Sequence, residues 1–518
     1  MRGGGDLRLM TGGAVVATLA LLLGGCAPGH ETFPGTPRPT PVATPSSVES
    51  VTAVTSTATP TPTPSATVSP TLDRSRYAMT LTLDPAAKRL SGTVEVTLRN
   101  TSTTPWPAVC FRDWAASVLA LFGPPGLVSG VSAATDAASG RALTVHVDAT
   151  DPSVVFVDLA TPLAPGDVTT ISLAYATDVP LGNQRLSWQA RPNATQVFDF
   201  GNFYPVLAPY ADGEWVRHPY FRGGESFVSD CADYAVQLTL PDDYVVVSSG
   251  DEIKQPATGG LATWTLTADD MRDVAMVAAN GYAALTQTVA GVTVNSFYFT
   301  NNAPSKKQAE MALRAAALAL PTFEAAYGSY PYDELDITQS DFFAGGMEYP
   351  SLVRIAMLSP TGPLSEYAGI ASVVAHEIAH QWFYAVVGND QYDEAWLDEG
   401  FASFSADAVF MSAYTSPSEV DDAFARNRVL TAQMPPLSLN RSIAELGANY
   451  YAVYTRGALF LYDLEQAMGE PAFLAMMRDY YASYSFTIAT TADFLEVLAR
   501  HSQGNQKVRD LIALNLAV

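Results

Sequence analysis

Histidine and cysteine are the scarce residues of this chain: six and three among 518. So few thiols exclude a disulfide-built scaffold, and no cysteine has the spacing of a zinc ligand. Positive charge is also short. Only 28 Lys and Arg stand against 52 Asp and Glu, a formal net charge of −24. Such a surface repels phosphate backbones and argues against nucleic-acid partners. The acids form no dense runs, so the excess reads as a soluble acidic surface; an acidic cleft attracting cationic peptides is the functional alternative. No internal repeat is evident. The apolar run from Met10 to Leu23 is short for a membrane span.

That run follows Arg2 and Arg8 and ends in Leu23-Gly24-Gly25-Cys26. Residues 1–25 therefore read as an export signal. The four residues resemble the lipobox of bacterial lipoproteins, which implies a lipid on Cys26 and an extracytoplasmic protein anchored to the membrane surface. Residues 26–72 are Pro, Thr, Ser and Ala, as in Thr59-Pro60-Thr61-Pro62. They carry too little apolar surface to offset the entropy of ordering, and repeated Pro favours extended chain. A disordered stalk is expected, equally suited to carry glycans.

The remaining stretch of about 445 residues is too long for one core. Residues 73–288 show period-two alternation, in Tyr77–Leu83, Gly92–Leu98, Tyr234–Leu240 and Tyr244–Val247, broken by Pro, Gly and Asp. Antiparallel sheets are expected there. From 289 to 518 the pattern turns helical, with Ser305–Tyr327 as a helix, Glu334–Ser340 as a strand and nearly everything after Glu366 as helix. Cys110 and Cys231 both fall in the β region of an exported chain, where a disulfide and a pair of buried thiols are both compatible with the sequence.

The chemistry concentrates at His376-Glu377-Ile378-Ala379-His380, with Glu399 nineteen positions after the second histidine. Histidines at i and i+4 point from nearly one helix face and suit two bonds to one zinc ion. Glu377 lies on another azimuth, off the ligand set but within reach of a water on the metal. Trp396-Leu397-Asp398-Glu399-Gly400-Phe401-Ala402 opens a second apolar helix. His376, His380 and Glu399 are thus expected to bind one zinc ion per chain, with Glu377 as general base.

With Gly345-Gly346-Met347-Glu348-Tyr349 before this site and Tyr454-Thr455-Arg456-Gly457 after it, the chain resembles the M1 metallopeptidases, the gluzincin aminopeptidases. The resemblance covers roughly residues 73 to 518. It implies a multidomain α+β protein: a saddle-like antiparallel β domain, then a thermolysin-like, mostly helical catalytic domain. It implies peptide substrates, Tyr454 as an oxyanion donor, and Glu348 binding the free α-amine of the substrate, with Gly345, Gly346 and Met347 also binding substrate; no obligate protein partner is evident. Tyr349 stands where that family usually has Asn, Arg456 where Lys is usual, and Asp398 where Asn is common. Asp407, eight residues past Glu399, is a candidate support for a ligand histidine. No counterpart of the second acidic group at the amine is evident. A zinc endopeptidase or other amide hydrolase, and an inactive binding lipoprotein, are the competing readings.

Overall fold

The computed structural model describes residues 72–357 and 367–517. The expected signal segment, Cys26 and all but the last residue of the stalk lie outside the described residues. Among the described residues no helix is long and apolar enough to cross a membrane.

The alternating segments form the expected strands. Ser75–Asp84 pairs antiparallel with Arg89–Arg99, which pairs in turn with Val168–Asp178. They belong to an eleven-stranded sheet that contains one parallel pair, Ser75–Asp84 with Ala232–Pro241. A four-stranded sheet includes Gln196–Phe200, Tyr244–Ser248 and Met276–Asn280. Side chains of both sheets, such as Tyr77, Val94 and Leu238 from one and Phe198, Val246 and Met276 from the other, enter a single core. The β domain is therefore two sheets packed face to face, each strand turning alternate residues inward. Cys110 and Cys231 are both free and buried.

The C-terminal domain starts from a five-stranded sheet that opens with Tyr282–Val289 and Val292–Phe299. The first of these strands precedes residue 289, so the hairpin straddles the expected boundary. Leu335 and Ile337 of the Glu334–Ser340 strand face the helices Ala303–Tyr327 and Tyr367–Ala379, meeting Ala312, Ala316, Leu320, Val374 and Ile378. Asn302 caps the first helix by accepting from the Ser305 N–H at 3.1 Å, the side-chain substitute for a missing helical partner.

Buried polar contacts join the domains. The Arg272 guanidinium donates to the carbonyls of Tyr384 at 2.6 Å, Val386 at 3.2 Å and Thr487 at 2.9 Å, besides Ser229 at 2.7 Å. A Cβ on Gly388 would lie 2.0 Å from its Cζ. Arg354 pairs with Asp199 at 2.7 Å, both 1% exposed. A buried ion pair gains little net stability, but losing either partner would strand the other charge, so these contacts fix how the two bodies meet.

Candidate metal centre and substrate site

His376 lies in the last turn of Tyr367–Ala379, and His380 follows directly, its N–H still donating to the His376 carbonyl at 3.3 Å. The two Nε2 atoms are 3.1 Å apart, with the rings nearly perpendicular at 83°. Glu399, on the helix Trp396–Phe404, brings Oε2 to 3.1 Å from His376 Nε2 and 3.4 Å from His380 Nε2. A tetrahedral zinc with bonds of about 2.0–2.1 Å would space its donors roughly 3.3 Å apart. The three residues expected as ligands are thus gathered with the separations and donor types that zinc takes.

The side chains behind them set the tautomer. His380 Nδ1 lies 2.5 Å from Asp398 Oδ1 and 3.1 Å from the Phe383 carbonyl, which occupies Nδ1 and leaves Nε2 for a metal. Burial alone would lower the His380 pKa, but Asp398, Glu348 and Glu399 hold it well above its ordinary value. Burial would likewise raise Glu399, yet its contacts with the two histidines hold its carboxyl well below the usual range. Asp407 does not take the supporting part expected of it. Its carboxyl interacts with Asn427 and Arg426, and burial pushes it up to about 6. The helix widens to a π turn over Ser405–Phe410, which rotates Asp407 off the face an unbroken helix would give it.

Glu377 is 6% exposed, and burial pushes its carboxyl up to about 8. Its place explains Gly346. A Cβ there would lie 2.2 Å from Glu377 Oε1, so the missing side chain makes room for the glutamate rather than for open solvent. Gly346 and Glu348 point to one side of the edge strand Gly346–Tyr349, as alternate residues do. Glu348 is 5% exposed and offers an oxygen within 4.8 Å of donors on Glu377 and His380. Gly345 lies just before the strand, its carbonyl accepting from Ala356 N at 2.9 Å. Met347 turns the other way and packs with Phe342, Tyr349 and Leu352; its Sδ accepts from the Arg185 guanidinium at 2.5 Å, and it lines the same small cavity as Glu348 and Glu225. The Gln381 amide donates to the Tyr349 carbonyl at 3.1 Å, and its Oε1 accepts from Ser351 N at 2.8 Å, tying this strand to the histidine segment.

Tyr454 donates its hydroxyl to Glu399 Oε1, and its ring stacks 6.0 Å from His376. A helix crossing brings them together. A Cβ built on Gly457 would sit 2.8 Å from Gly400 Cα, and one on Gly400 3.1 Å from Gly457 Cα. Both glycines flank motif residues, so the helices Trp396–Phe404 and Ala452–Met468 touch backbone to backbone next to Glu399 and Tyr454. Arg456 turns away and bonds Asn515 Oδ1 at 3.1 Å and the Leu514 carbonyl at 2.8 Å.

An acid that the sequence did not reveal, Glu225 of the β domain, also stands beside Glu348. One of its oxygens lies within 4.8 Å of oxygens on Glu348 and Asp398. The Arg185 guanidinium pairs with it, and Gln391 Nε2 donates to it at 2.6 Å and to Asp398 at 2.7 Å. The only trace in the sequence is Gly223-Gly224 just before it. A Cβ on Gly224 would meet the Tyr450 ring at 2.9 Å, so the loop lies tight against the helix that carries Tyr454.

Residues 311–514 match the Peptidase family M1 domain. This stretch is similar to an M1 peptidase domain. Aminopeptidase M1-B of Oryza sativa subsp. japonica is 28% identical over 298 residues, 54% of this chain and 34% of its own length. Glutamyl aminopeptidase of Rattus norvegicus is 30% identical over 236 residues, 40% of this chain and 24% of its own. The chain thus spans about a third of the first relative's length and a quarter of the second's. An M1 zinc metallopeptidase from Deinococcus radiodurans superposes with a TM-score of 0.63 at 21% identity, covering 86% of this chain and 93% of its own. A mutant of it bound to a Tyr-Ser-Ala substrate superposes at 0.62 with 19% identity, over 86% and 94%. The two-domain fold is shared across nearly the whole of those structures, and the matched stretch carries His376, Glu377, His380, Glu399 and Tyr454.

Proposed function

We propose that the protein is a zinc aminopeptidase that removes N-terminal residues from peptides outside the cytoplasm. The observation that carries this reading is the meeting of His376, His380 and Glu399 at 3.1–3.4 Å beside a separate buried carboxylate, Glu377. Zinc held by those three donors supplies Lewis acidity, polarising a carbonyl and bringing the pKa of water down to about 7. Glu377 takes the proton of the attacking water and returns it to the departing amine. Tyr454 donates to the carbonyl oxygen as that oxygen gains charge. Glu348 and Glu225 are both buried and face one another, and a substrate ammonium satisfies both. With that ammonium fixed a short reach from Glu377 and His380, only the first peptide bond arrives at the metal centre. Gly346–Tyr349, as an edge strand, offers backbone groups to an extended peptide.

The anchoring of the chain by a lipid on Cys26 is part of the same proposal. It is supported by the cysteine standing directly after the apolar run and ahead of a Pro/Thr/Ser-rich spacer.

One fluorogenic peptide with a free or an acetylated N-terminus tests the assignment. The free-amine form is cleaved at least 10²-fold better if two buried acids bind the ammonium, since each charged contact is worth about 1.5–3 kcal/mol. Equal cleavage of both forms would remove the amine-binding role and leave an endopeptidase. A Glu377→Gln variant that keeps its zinc and wild-type turnover would overturn the peptidase mechanism itself.

A further inference from the structure

A second group of carboxylates gathers where the two domains meet, apart from the residues assigned above. Glu334 and Asp336 are two apart on the strand Glu334–Ser340 and so share a face, while Leu335 and Ile337 between and beyond them enter the helical core. Asn295 is paired with Asp336 on the neighbouring strand. Its amide donates to Glu334 Oε1 at 2.5 Å and Asp336 Oδ1 at 2.9 Å. Glu252 arrives from the β domain, on the edge strand Asp251–Lys254 of the eleven-stranded sheet, and Ser248 Oγ donates to its Oε2 at 3.1 Å. Gly250 N in the same turn donates to Ser351 Oγ of the C-terminal domain at 2.8 Å, which holds the turn in place.

One oxygen from each of Glu252, Glu334 and Asp336 lies within 4.8 Å of the other two. Asp336 is 1% exposed, and its second oxygen, Oδ2, is buried without a hydrogen-bond partner. A buried, unpaired carboxylate oxygen among two further acids is an expensive arrangement unless a cation takes up the charge. The donors are all oxygen, with no imidazole or thiolate, and that is the ligand chemistry of a hard cation. Calcium bonds of about 2.3–2.6 Å allow donor oxygens up to about 4.6–5.2 Å apart, so oxygens that lie within 4.8 Å of one another can share such an ion.

We propose that Glu252, Glu334 and Asp336 bind one divalent cation of the calcium class, which clamps the β domain onto the sheet of the C-terminal domain. Burial and mutual repulsion push Glu252 up to about 8 and Asp336 well above its ordinary range, as expected for acids held together without their counter-ion. The site stands independently of the peptidase reading.

Equilibrium dialysis of the zinc-loaded full chain against radioactive calcium, together with thermal unfolding, tests it. One calcium ion per chain is expected, with a dissociation constant at or below about 1 mM. Tm is expected to rise by roughly 2–5 °C in about 10 mM calcium chloride. Asp336→Asn and, on the exposed side of the cluster, Glu252→Gln should each weaken calcium binding at least 10-fold and abolish the Tm response. No binding at about 10 mM calcium, or wild-type binding by both variants, would overturn the proposal. So would a third pattern, in which calcium leaves the wild type unchanged while both variants melt higher in calcium-free buffer; the acids would then be sharing protons instead.

Discussion

Gly457→Ala probes the crossing that places Tyr454 on Glu399. The added methyl would lie 2.8 Å from Gly400 Cα. Carbon atoms pack at about 3.5–4.0 Å, so the two helices must part by roughly 0.7–1.2 Å. Neither contact atom belongs to a flexible side chain, so no rotamer change absorbs the clash. Overpacking of this kind costs about 1–3 kcal/mol, against which the better helix propensity of Ala returns up to about 1 kcal/mol. The net loss should lower Tm by about 2–6 °C. The effect on turnover is larger, because a shift of about 1 Å in a reacting group can cost 10²-fold, and Tyr454 lies one turn from the substituted position. Gly457→Ala is therefore expected to bind zinc stoichiometrically, melt slightly early and lose about 10²-fold in kcat on an aminoacyl fluorogenic substrate. Gly400→Ala, whose methyl would lie 3.1 Å from Gly457 Cα, should act in the same direction. Wild-type kcat in a folded, zinc-loaded Gly457→Ala would refute the idea that this contact sets the position of Tyr454.

Tyr454→Phe should keep the fold and the zinc and lose about 10²–10³ in kcat with little change in KM; a loss confined to KM would assign the tyrosine to binding. Gly346→Ala places a methyl 2.2 Å from Glu377 Oε1, so kcat should fall about 10²-fold or more while zinc content stays whole, read by metal analysis beside the rate. Glu225→Gln should raise KM for free-amine substrates about 10-fold or more and leave any cleavage of the acetylated peptide unaltered; an equal loss on both would make it a structural residue. For pH, burial pushes the Asp113 carboxyl up to about 6 from 3.8. Between those values the folded state keeps a proton that the unfolded chain releases, so stability falls as pH rises through the window and is level above it. Asp113→Asn removes the titrating group and should leave stability near that of the wild type at pH about 4 and exceed it by at most about 3 kcal/mol at pH about 8; denaturant unfolding at the two pH values decides it.

Much of the fold was legible because its signals are local. Period-two runs became the strands Ser75–Asp84, Arg89–Arg99 and Ala232–Pro241, and the helix expected over Ser305–Tyr327 begins two residues earlier. The sequence could not tell that the first and last of those strands lie side by side and parallel, since that pairing joins segments some 150 residues apart. The metal donors were legible for a related reason: two lie one helical turn apart, and the third follows in a strongly apolar helix. Their support was misread where the helix stops being regular. Asp407 would face the histidines on a straight helix, but the widened turn at Ser405–Phe410 carries it to Asn427, while Asp398, beside Glu399, does the supporting. Glu225 was out of reach altogether. It sits in a loop without periodicity, and its partners Arg185, Glu348 and Gln391 come from three separate parts of the chain.

That scattered origin bears on what the β domain does. The C-terminal domain alone supplies the three proposed metal donors and Glu377, yet half of the Glu225–Glu348 pair comes from the loop that precedes Ala232–Pro241, and Arg185 pairs with it from the same domain. Glu225, Glu348, Glu377, Asp398 and Glu399 are all less than a tenth exposed, with one guanidinium among them. Five buried carboxylates beside one arginine and two imidazoles are costly to ionise together, so protons or further positive charge must neutralise them. One cation suffices for the side of the site at His376 and Glu399, and the side at Glu348 and Glu225 calls for a second. On the proposed function, a metal would answer the first need and a substrate ammonium the second. Because Glu225 and Glu348 belong to different domains, an aminopeptidase of the proposed kind would depend on the relative placement of those domains, held by Arg272 and by the Arg354–Asp199 pair, to set how far from the metal a chain terminus is caught.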